Sequence, residues 1–181
     1  MKKPILFIAL ILGSFVGQAQ FTKASLTAAG LTCAMCTKAI YNALQQLPPV
    51  KSVVADIRSS AFLIGFKEGT AVDPDLLKKA VEEAGFSVAR LKLTGNFDNL
   101  EVKNDSHIEV AGKTFHFLNI SPTVLKGTQT LTVVDKNYVT GREFKKYTAA
   151  TDMSCIETGK ASECCAKLGV ANVRRIYHVT L

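Results

Sequence analysis

The sequence contains no tryptophan, only three histidines and no long run of basic residues. Its 22 Lys and Arg residues exceed its 15 Asp and Glu residues, which gives a formal net charge of +7. The cations are scattered singly or in pairs, whereas a nucleic-acid surface usually needs them clustered. Helix-turn-helix and RNA-binding signatures are also missing. We therefore expect no nucleic-acid partner and interpret the charge as a solvated surface.

The motifs of the common hydrolases and nucleotide enzymes are missing too. No Ser-His-Asp order, paired-carboxylate motif or glycine-rich phosphate loop is present. His107, His116 and His178 fall at separate places in predicted strands, and we expect each to be a packed or surface strand residue rather than a ligand. His116 alternates with Phe115 and Phe117 and should face away from them. The sequence predicts that the protein is not an enzyme.

A long apolar segment is also missing from the sequence after its start. Residues Ile5–Phe15 are apolar and follow a lysine pair, but this run is too short to span a bilayer. The pattern predicts a bacterial-type signal peptide over residues 1–20, cleaved after Ala19 or Gln20, with an uncleaved anchor as the alternative. We expect a soluble periplasmic or secreted chain without a membrane partner. Its five cysteines would then meet an oxidising compartment.

The most informative feature that is present is the pair Cys33 and Cys36, between a strand-like run and a helix-like run. If a helix begins here with Thr32 as its N-cap, both sulfurs lie near free backbone N–H groups and the positive end of the helix dipole. This environment favours thiolates. Two thiolates on one short loop form a soft-metal clamp or a redox pair. A purely structural disulfide would close too short a loop to stabilise much.

The residues around this pair predict a ferredoxin-like domain over residues 21–94. The predicted elements, in order, are a strand at Lys23–Ala29, a helix at Thr37–Leu47, strands at Val50–Ile57 and Ala61–Phe66, a helix from Asp73-Pro74 to Gly85, and a strand at Phe86–Leu93. This β-α-β-β-α-β order places both helices on one face of a four-stranded antiparallel sheet. The predicted fold class is therefore α+β, with the cysteine loop at one edge.

Residues 30–36, with the sequence GLTCAMC, resemble the metal-binding motif of the heavy-metal-associated domain. That family includes copper chaperones, copper-ATPase N-terminal domains and the periplasmic mercury-binding protein. The resemblance covers about residues 21–93 and includes the element order. It implies that the two cysteines are metal ligands and that a partner protein exchanges the metal with them. The family usually has Met where Leu31 stands, and Phe86 matches its aromatic residue near the metal loop.

We predict that Cys33 and Cys36 bind Cu(I), with Hg(II) and Zn(II) as alternatives. Two thiolates suffice for Cu(I), whereas zinc usually takes four ligands. No Asp, Glu or His lies in Gly30–Ile40. The acidic neighbour of the first cysteine, common in related zinc-type domains, is therefore missing. Met35 could in principle add a thioether, but we expect it to point into solvent.

The predicted function is that of an exported carrier or sequestering protein that passes its metal by ligand exchange. Mercury scavenging is one alternative, because Hg(II) binds the same dithiol. Thiol–disulfide exchange is another, since thioredoxin-like enzymes also place a CxxC at a helix N-terminus. The usual Trp-Cys-Gly-Pro-Cys surroundings and the element order of those enzymes are missing here.

The second half of the chain, residues 95–181, reads as mainly β, with a boundary at Thr94–Asn96. The predicted strands are Leu100–Val102, His107–Val110, Thr114–Asn119, Thr128–Asp135, Glu143–Tyr147 and Ile176–Leu181. Short strands at this spacing predict a small OB-like barrel or sandwich.

Three further cysteines, Cys155, Cys164 and Cys165, lie in this half. One interpretation is a disulfide from Cys155 to Cys164 or Cys165, as is usual for exported cysteines, with one thiol left over. The other is a second soft-metal site that adds Met153 to these thiols.

Overall fold

A computed structural model describes residues 20–31, 33–162, 165 and 174–181. The predicted signal peptide lies outside these residues except for Gln20, as do Thr32 and Cys164. The described elements are β1 (Gln20–Ala29), α1 (Ala34–Gln45), β2 (Val50–Asp56), β3 (Ala61–Phe66), α2 (Pro74–Glu83), β4 (Ser87–Val102), β5 (His107–Val110), β6 (Lys113–Phe117), β7 (Thr123–Val133), α3 (Gly141–Thr148), α4 (Cys155–Thr158) and β8 (Ile176–Thr180). None of the helices in this part of the chain has the length and hydrophobicity to cross a membrane.

The first six elements confirm the predicted ferredoxin-like order. The residues that begin and end α2 show why the sequence revealed this order. Helix α2 has Asp73 as its N-cap, whose carboxylate accepts a hydrogen bond from the Asp75 N–H at 3.0 Å. Pro74 occupies the first turn, and Gly85 follows the helix with a φ of +87°, a conformation that glycine adopts without strain. Helix α1 begins at Ala34 rather than at the predicted Thr37.

The described strands form one eight-stranded sheet in the order β2-β3-β1-β4-β7-β8-β6-β5. Strand β4 pairs with β1 on one side and with β7 on the other. The predicted boundary at Thr94–Asn96 falls within this strand, where Gly95 pairs with Phe21 of β1 and with Gln129 of β7. Backbone hydrogen bonds therefore run without a break between the two halves. The two-domain division stays a prediction.

The second half departs from the predicted architecture. The OB-like barrel or sandwich is not confirmed, because β5–β8 extend the sheet of the first half and β6 runs parallel to β8. The prediction of a strand at Glu143–Tyr147 is wrong, since these residues belong to α3. A capping box starts that helix: Thr140 accepts from the Glu143 N–H while the Glu143 carboxylate accepts from the Thr140 N–H.

The main hydrophobic core lies on the face of the sheet that α1 and α2 cover, and both halves contribute to it. The Phe21 ring of β1 packs edge-on against Phe115 of β6, with ring centroids 5.4 Å apart. Phe115 and Phe117 belong to this core, so the intervening His116 faces the opposite side, as predicted. On that opposite side, Cys155 of α4 packs with Ile176 of β8 in a smaller cluster.

Two aspartates at the start of α2 tie this helix to the second half. Asp73 accepts hydrogen bonds from Lys113 Nζ at 2.6 Å and from the Tyr177 hydroxyl at 2.7 Å. Asp75 accepts from Arg175 Nε at 2.9 Å and from the Tyr138 hydroxyl at 2.6 Å. Burial opposes ionisation of both carboxyls. The hydrogen bonds and the nearby cations outweigh it, so the pKa of each aspartate lies below its ordinary value.

Candidate metal centres

The predicted dithiol lies at the N-terminus of α1. Cys33 is the N-cap residue in an extended conformation, and its sulfur accepts a hydrogen bond from the Cys36 N–H at 3.2 Å. Both sulfurs therefore lie in the first turn, as the sequence predicted, although Cys33 rather than Thr32 occupies the cap. In this structure the two cysteines form a disulfide, with their Cα atoms 5.3 Å apart. Cys33 is exposed and Cys36 is half-buried, so the pair is open to solvent.

A shallow pocket of about 160 Å³ adjoins this pair, and its walls include Leu31, Cys33 and Phe62. Asp56, the last residue of β2, lines the same pocket. Its carboxylate accepts hydrogen bonds from the Arg58 N–H at 3.0 Å and the Ser59 hydroxyl at 2.7 Å, and the Ser59 bond is the main reason that its pKa is lowered. The search for acidic residues in Gly30–Ile40 could not find this hard oxygen donor, because the fold brings it to the loop from the end of β2.

A second group of candidate ligands lies in the second half, and sequence reasoning did not bring it together. His107 of β5 is paired with His116 of β6, which is in turn paired with His178 of β8. The His107 and His116 rings stack with centroids 4.1 Å apart, and the His178 ring meets His116 edge-on at 5.0 Å. The three side chains therefore form one row across three neighbouring strands.

The thiol of Cys155 lies against this row from the side of α4. Its sulfur is 3.5 Å from His116 Nδ1, 3.4 Å from His178 Nε2 and 3.9 Å from His107 Nε2. Cys155, His116 and His178 have 0% exposed surface, and His107 is half-buried. We call these four residues the His–Cys cluster.

In each imidazole of the His–Cys cluster, the ring nitrogen that does not face the Cys155 sulfur lies within hydrogen-bonding distance of an oxygen atom. His116 Nε2 lies 3.1 Å from an Asp105 carboxylate oxygen, and His107 Nδ1 lies 3.3 Å from the Asp105 carbonyl oxygen. His178 Nδ1 lies 2.6 Å from an Asp135 carboxylate oxygen. Burial, foremost, lowers the pKa of His116 and of His107, and the charges of neighbouring histidines lower both further. Both rings are therefore neutral near pH 7. Each then donates N–H to its oxygen and turns a lone pair towards the sulfur.

The structure also bears on the predictions for the remaining cysteines. Cys155 and Cys165 pack in the same small apolar cluster, with Met153 against it, but no disulfide joins the two. Cys164 lies outside the described residues, so a bond from it to Cys155 stays a prediction.

No protein-family model matches the sequence, and no curated protein is similar to it. The chain is similar to several solved structures, among them the CopZ metallochaperone, with 22% identity, a TM-score of 0.35, and coverage of 38% of this chain and 100% of that one. CopZ and the two structures described next are heavy-metal-associated domains.

The chain is also similar to a yeast copper transporter domain and to a bacterial MerP. The yeast copper transporter domain CCC2A, studied in apo and Cu(I)-loaded states, has 24% identity and a TM-score of 0.33 and covers 37% of this chain and 90% of its own. Oxidized MerP from Ralstonia metallidurans CH34 has 24% identity and a TM-score of 0.34, and covers 39% of this chain and 96% of its own.

Proposed function

We propose that the reduced protein binds one Cu(I) ion through Cys33 and Cys36 and passes it to a partner protein. The observation that carries this proposal is the placement of both sulfurs at the solvent-accessible first turn of α1. Backbone N–H groups and the positive helix end stabilise the thiolate form there, and thiolates are the ligands that soft metal ions prefer.

The donor set favours Cu(I) over the alternatives Zn(II) and Hg(II). Two thiolates satisfy Cu(I), whereas zinc would need two more donors near the loop. Asp56 is the acidic side chain that lines the adjoining pocket, and both of its oxygens already accept hydrogen bonds within their own turn. Met35 is 76% exposed and leaves the approach to the sulfurs open. Hg(II) would bind the same dithiol, so a scavenging role shares this site.

Transfer would proceed by ligand exchange at the exposed loop. A thiolate or thioether of the partner enters the coordination sphere of the metal while one of the two cysteine sulfurs leaves, so the ion is never released into water. The disulfide seen here must first gain two electrons and two protons from a cellular reductant. For the exported protein that the sequence predicts, this means reduction by a partner dithiol or loading with metal soon after export.

A second candidate function is thiol–disulfide exchange, and the Cys33–Cys36 disulfide itself favours it. The bond lies at a helix N-terminus, where a departing thiolate is stabilised. A partner dithiol would attack one sulfur, form a mixed disulfide and leave oxidised, while Cys33 and Cys36 leave as the dithiol.

A competition titration of the reduced full chain with Cu(I) and Zn(II), with thiols counted before and after, tests both functions. We expect the C33S/C36S double variant to bind one Cu(I) fewer than the wild type and to protect two thiols fewer. M35L is the matched control within the loop and should keep the wild-type affinity. Equal Cu(I) binding by the double variant would place the site elsewhere. A wild type that holds no Cu(I) tightly but reduces a partner disulfide would favour the redox function.

A further inference from the structure

We propose that the His–Cys cluster is a second, closed metal site and that its ion is Zn(II). The cluster shares no residue with the dithiol loop, so this inference does not depend on the proposed function. It is also distinct from the site of cysteine thiols and Met153 that the sequence suggested, because three of its four donors are imidazoles.

The spacing of the donors matches tetrahedral coordination. Zinc–sulfur and zinc–nitrogen bonds of about 2.3 and 2.05 Å at tetrahedral angles place sulfur and nitrogen about 3.6 Å apart. The observed distances from the Cys155 sulfur to the three ring nitrogens are 3.4, 3.5 and 3.9 Å. The donor atoms of His107, His116 and Cys155 all lie within 4.8 Å of one another. The three sulfur–nitrogen distances are thus close to the tetrahedral value, and binding would require the stacked His107 and His116 rings to turn so that their lone pairs converge on the ion.

The outer partners of the histidines are those of a metal centre. A metal-bound imidazole almost always donates its other N–H to a carboxylate or carbonyl oxygen, which fixes the ring and its tautomer. Here all three rings have such a partner, supplied by Asp105 and Asp135. Asp105 is itself held by the Thr151 hydroxyl at 2.6 Å, and Asp135 by Arg175 at 3.2 Å. The orientation of the row is thus set before any ion arrives.

The cluster gathers one thiol sulfur and three ring nitrogens in one largely buried place. Thiolate sulfur and imidazole nitrogen are the donors that zinc takes in structural sites, and a divalent ion would neutralise the charge of the thiolate there.

The burial of the sulfur separates metal binding from other uses of a Cys–His pair. A nucleophilic cysteine must be reached by its substrate, and Cys155 has 0% exposed surface. Four protein donors with no open position are typical of structural zinc, whereas Cu(I) is satisfied by fewer and softer ligands. The ion would join β5, β6, β8 and α4 at one point.

The experiment uses the full chain with C33S/C36S, so that the dithiol loop contributes nothing. Co(II) serves as the spectroscopic probe, and Zn(II) is then added in competition. We expect one Co(II) with tetrahedral d–d absorption and a thiolate-to-cobalt charge-transfer band, both lost when Zn(II) displaces it. C155S should abolish the charge-transfer band. D135N, which alters an outer partner only, should weaken Zn(II) binding by about 10- to 100-fold.

H107Q is the safest ligand variant, because His107 is half-buried at the rim and its loss should leave the fold intact. It should weaken Zn(II) more than D135N does, with an unchanged far-UV circular dichroism spectrum. C165A removes the neighbouring buried thiol and should leave Zn(II) affinity unchanged. Loss of binding in C165A with retention in H107Q would overturn the ligand set in favour of a thiol cluster.

Two further results would overturn the proposal. The first is a C33S/C36S chain that binds neither Co(II) nor Zn(II), or that binds Cu(I) in preference to Zn(II) at this site. The second is a disulfide from Cys155 to Cys164 or Cys165 in protein purified without reductant. Should a variant fail to fold, alkylation of Cys155 in the C33S/C36S chain with and without a chelator replaces it, and protection that the chelator removes is the expected result. C155S in the wild-type background should keep the Cu(I) of the dithiol loop, which separates failure of this site from failure of the proposed function.

Discussion

Gly95 shows how the surroundings of a single residue decide its role. Together with Thr94 and Asn96 it marks the predicted domain boundary, and in the structure it lies inside β4. A Cβ atom built at this position would be 2.6 Å from the Gln20 carbonyl oxygen and 3.1 Å from the Phe21 ring. Strand β1 has a register irregularity just there, after Phe21, and its backbone approaches β4 closely. The glycine is therefore needed for sheet packing rather than for a flexible connection.

We expect Gly95→Ala to lower the free energy of unfolding by about 1–3 kcal/mol, because the backbone oxygen of Gln20 cannot yield as a side chain could. Urea unfolding of the full chain measures this. Gly141→Ala is the matched control: nothing lies within 4 Å of its added methyl group, and alanine favours the first turn of α3. Equal destabilisation by both substitutions would contradict the packing explanation.

The two groups of candidate ligands differ in how far sequence could reveal them. Cys33 and Cys36 share one loop, so spacing alone brings their sulfurs together. The histidine row needs His178 of β8 to lie beside His116 of β6 in a parallel pair, and no local pattern encodes that pairing. The available signal was a polar residue at every other position of strongly apolar strands, which marks a second buried face.

Helix α3 shows competition between side-chain propensity and end signals at the scale of one element. Phe144 and Tyr147 suggest a strand, but Thr140 and Glu143 satisfy each other's backbone N–H groups and start a helix instead. None of its residues is fully buried, although Phe144 and Tyr147 pack against a small cluster around Ile156. Its stability therefore depends strongly on the cap.

We expect Thr140→Ala to cost about 1 kcal/mol of stability, since a side-chain acceptor at the N-cap is lost. Thr140→Ser keeps the hydroxyl and should cost little. Native-state hydrogen exchange of the α3 amides is the sensitive measurement, because a lost cap would speed local opening there before it changed global unfolding. Faster exchange in the serine variant than in the alanine variant would argue against capping.

At the level of elements, the first half could be predicted almost completely and the second only in part. Strong end signals such as Asp73-Pro74 and Gly85 bound its elements, and its strands pair through short connections. In the second half the predicted strand His107–Val110 matches β5. The order of β7, β8, β6 and β5 was not predictable, because contacts between distant segments decide it.

At the scale of the whole molecule, the two halves are joined at the start of α2 as well as through the sheet, because Asp73 and Asp75 accept hydrogen bonds from cations and hydroxyls of the second half. Both carboxyl pKa values are lowered in the folded state. Above the unfolded-state value of about 3.9 these groups are charged in both states, and their contribution to stability is fully present. It is lost as the pH falls through the lower, folded-state pKa.

Stability should therefore fall steeply with pH below about 4. Asp75→Asn should be less stable than the wild type at pH 7 and should lose less as the pH falls, because the linked proton uptake is gone. Glu101→Gln, on an exposed part of β4, is the control and should follow the wild type. Urea titrations across this pH range give the slopes. Parallel curves for Asp75→Asn and the wild type would show that the network contributes no pH dependence.

The continuous sheet also separates the two proposed metal sites. A row of paired residues runs from Leu26 of β1 across β4, β7 and β8 to Phe117 of β6. Four strand spacings of about 4.8 Å place Leu26 and Phe117 roughly 19 Å apart. The dithiol follows the end of β1 beside α1, whereas the His–Cys cluster lies on the opposite face.

Ligand exchange requires both sets of donors to touch the same ion at once. The two sets lie on opposite faces of the sheet, at strands that are four spacings apart, so they cannot do this within one molecule. An ion bound at the exposed loop therefore does not pass directly to the buried cluster of the same chain. The two sites would therefore work independently. The loop would exchange its ion at each encounter with a partner, and the cluster would take up its ion once, when the chain folds.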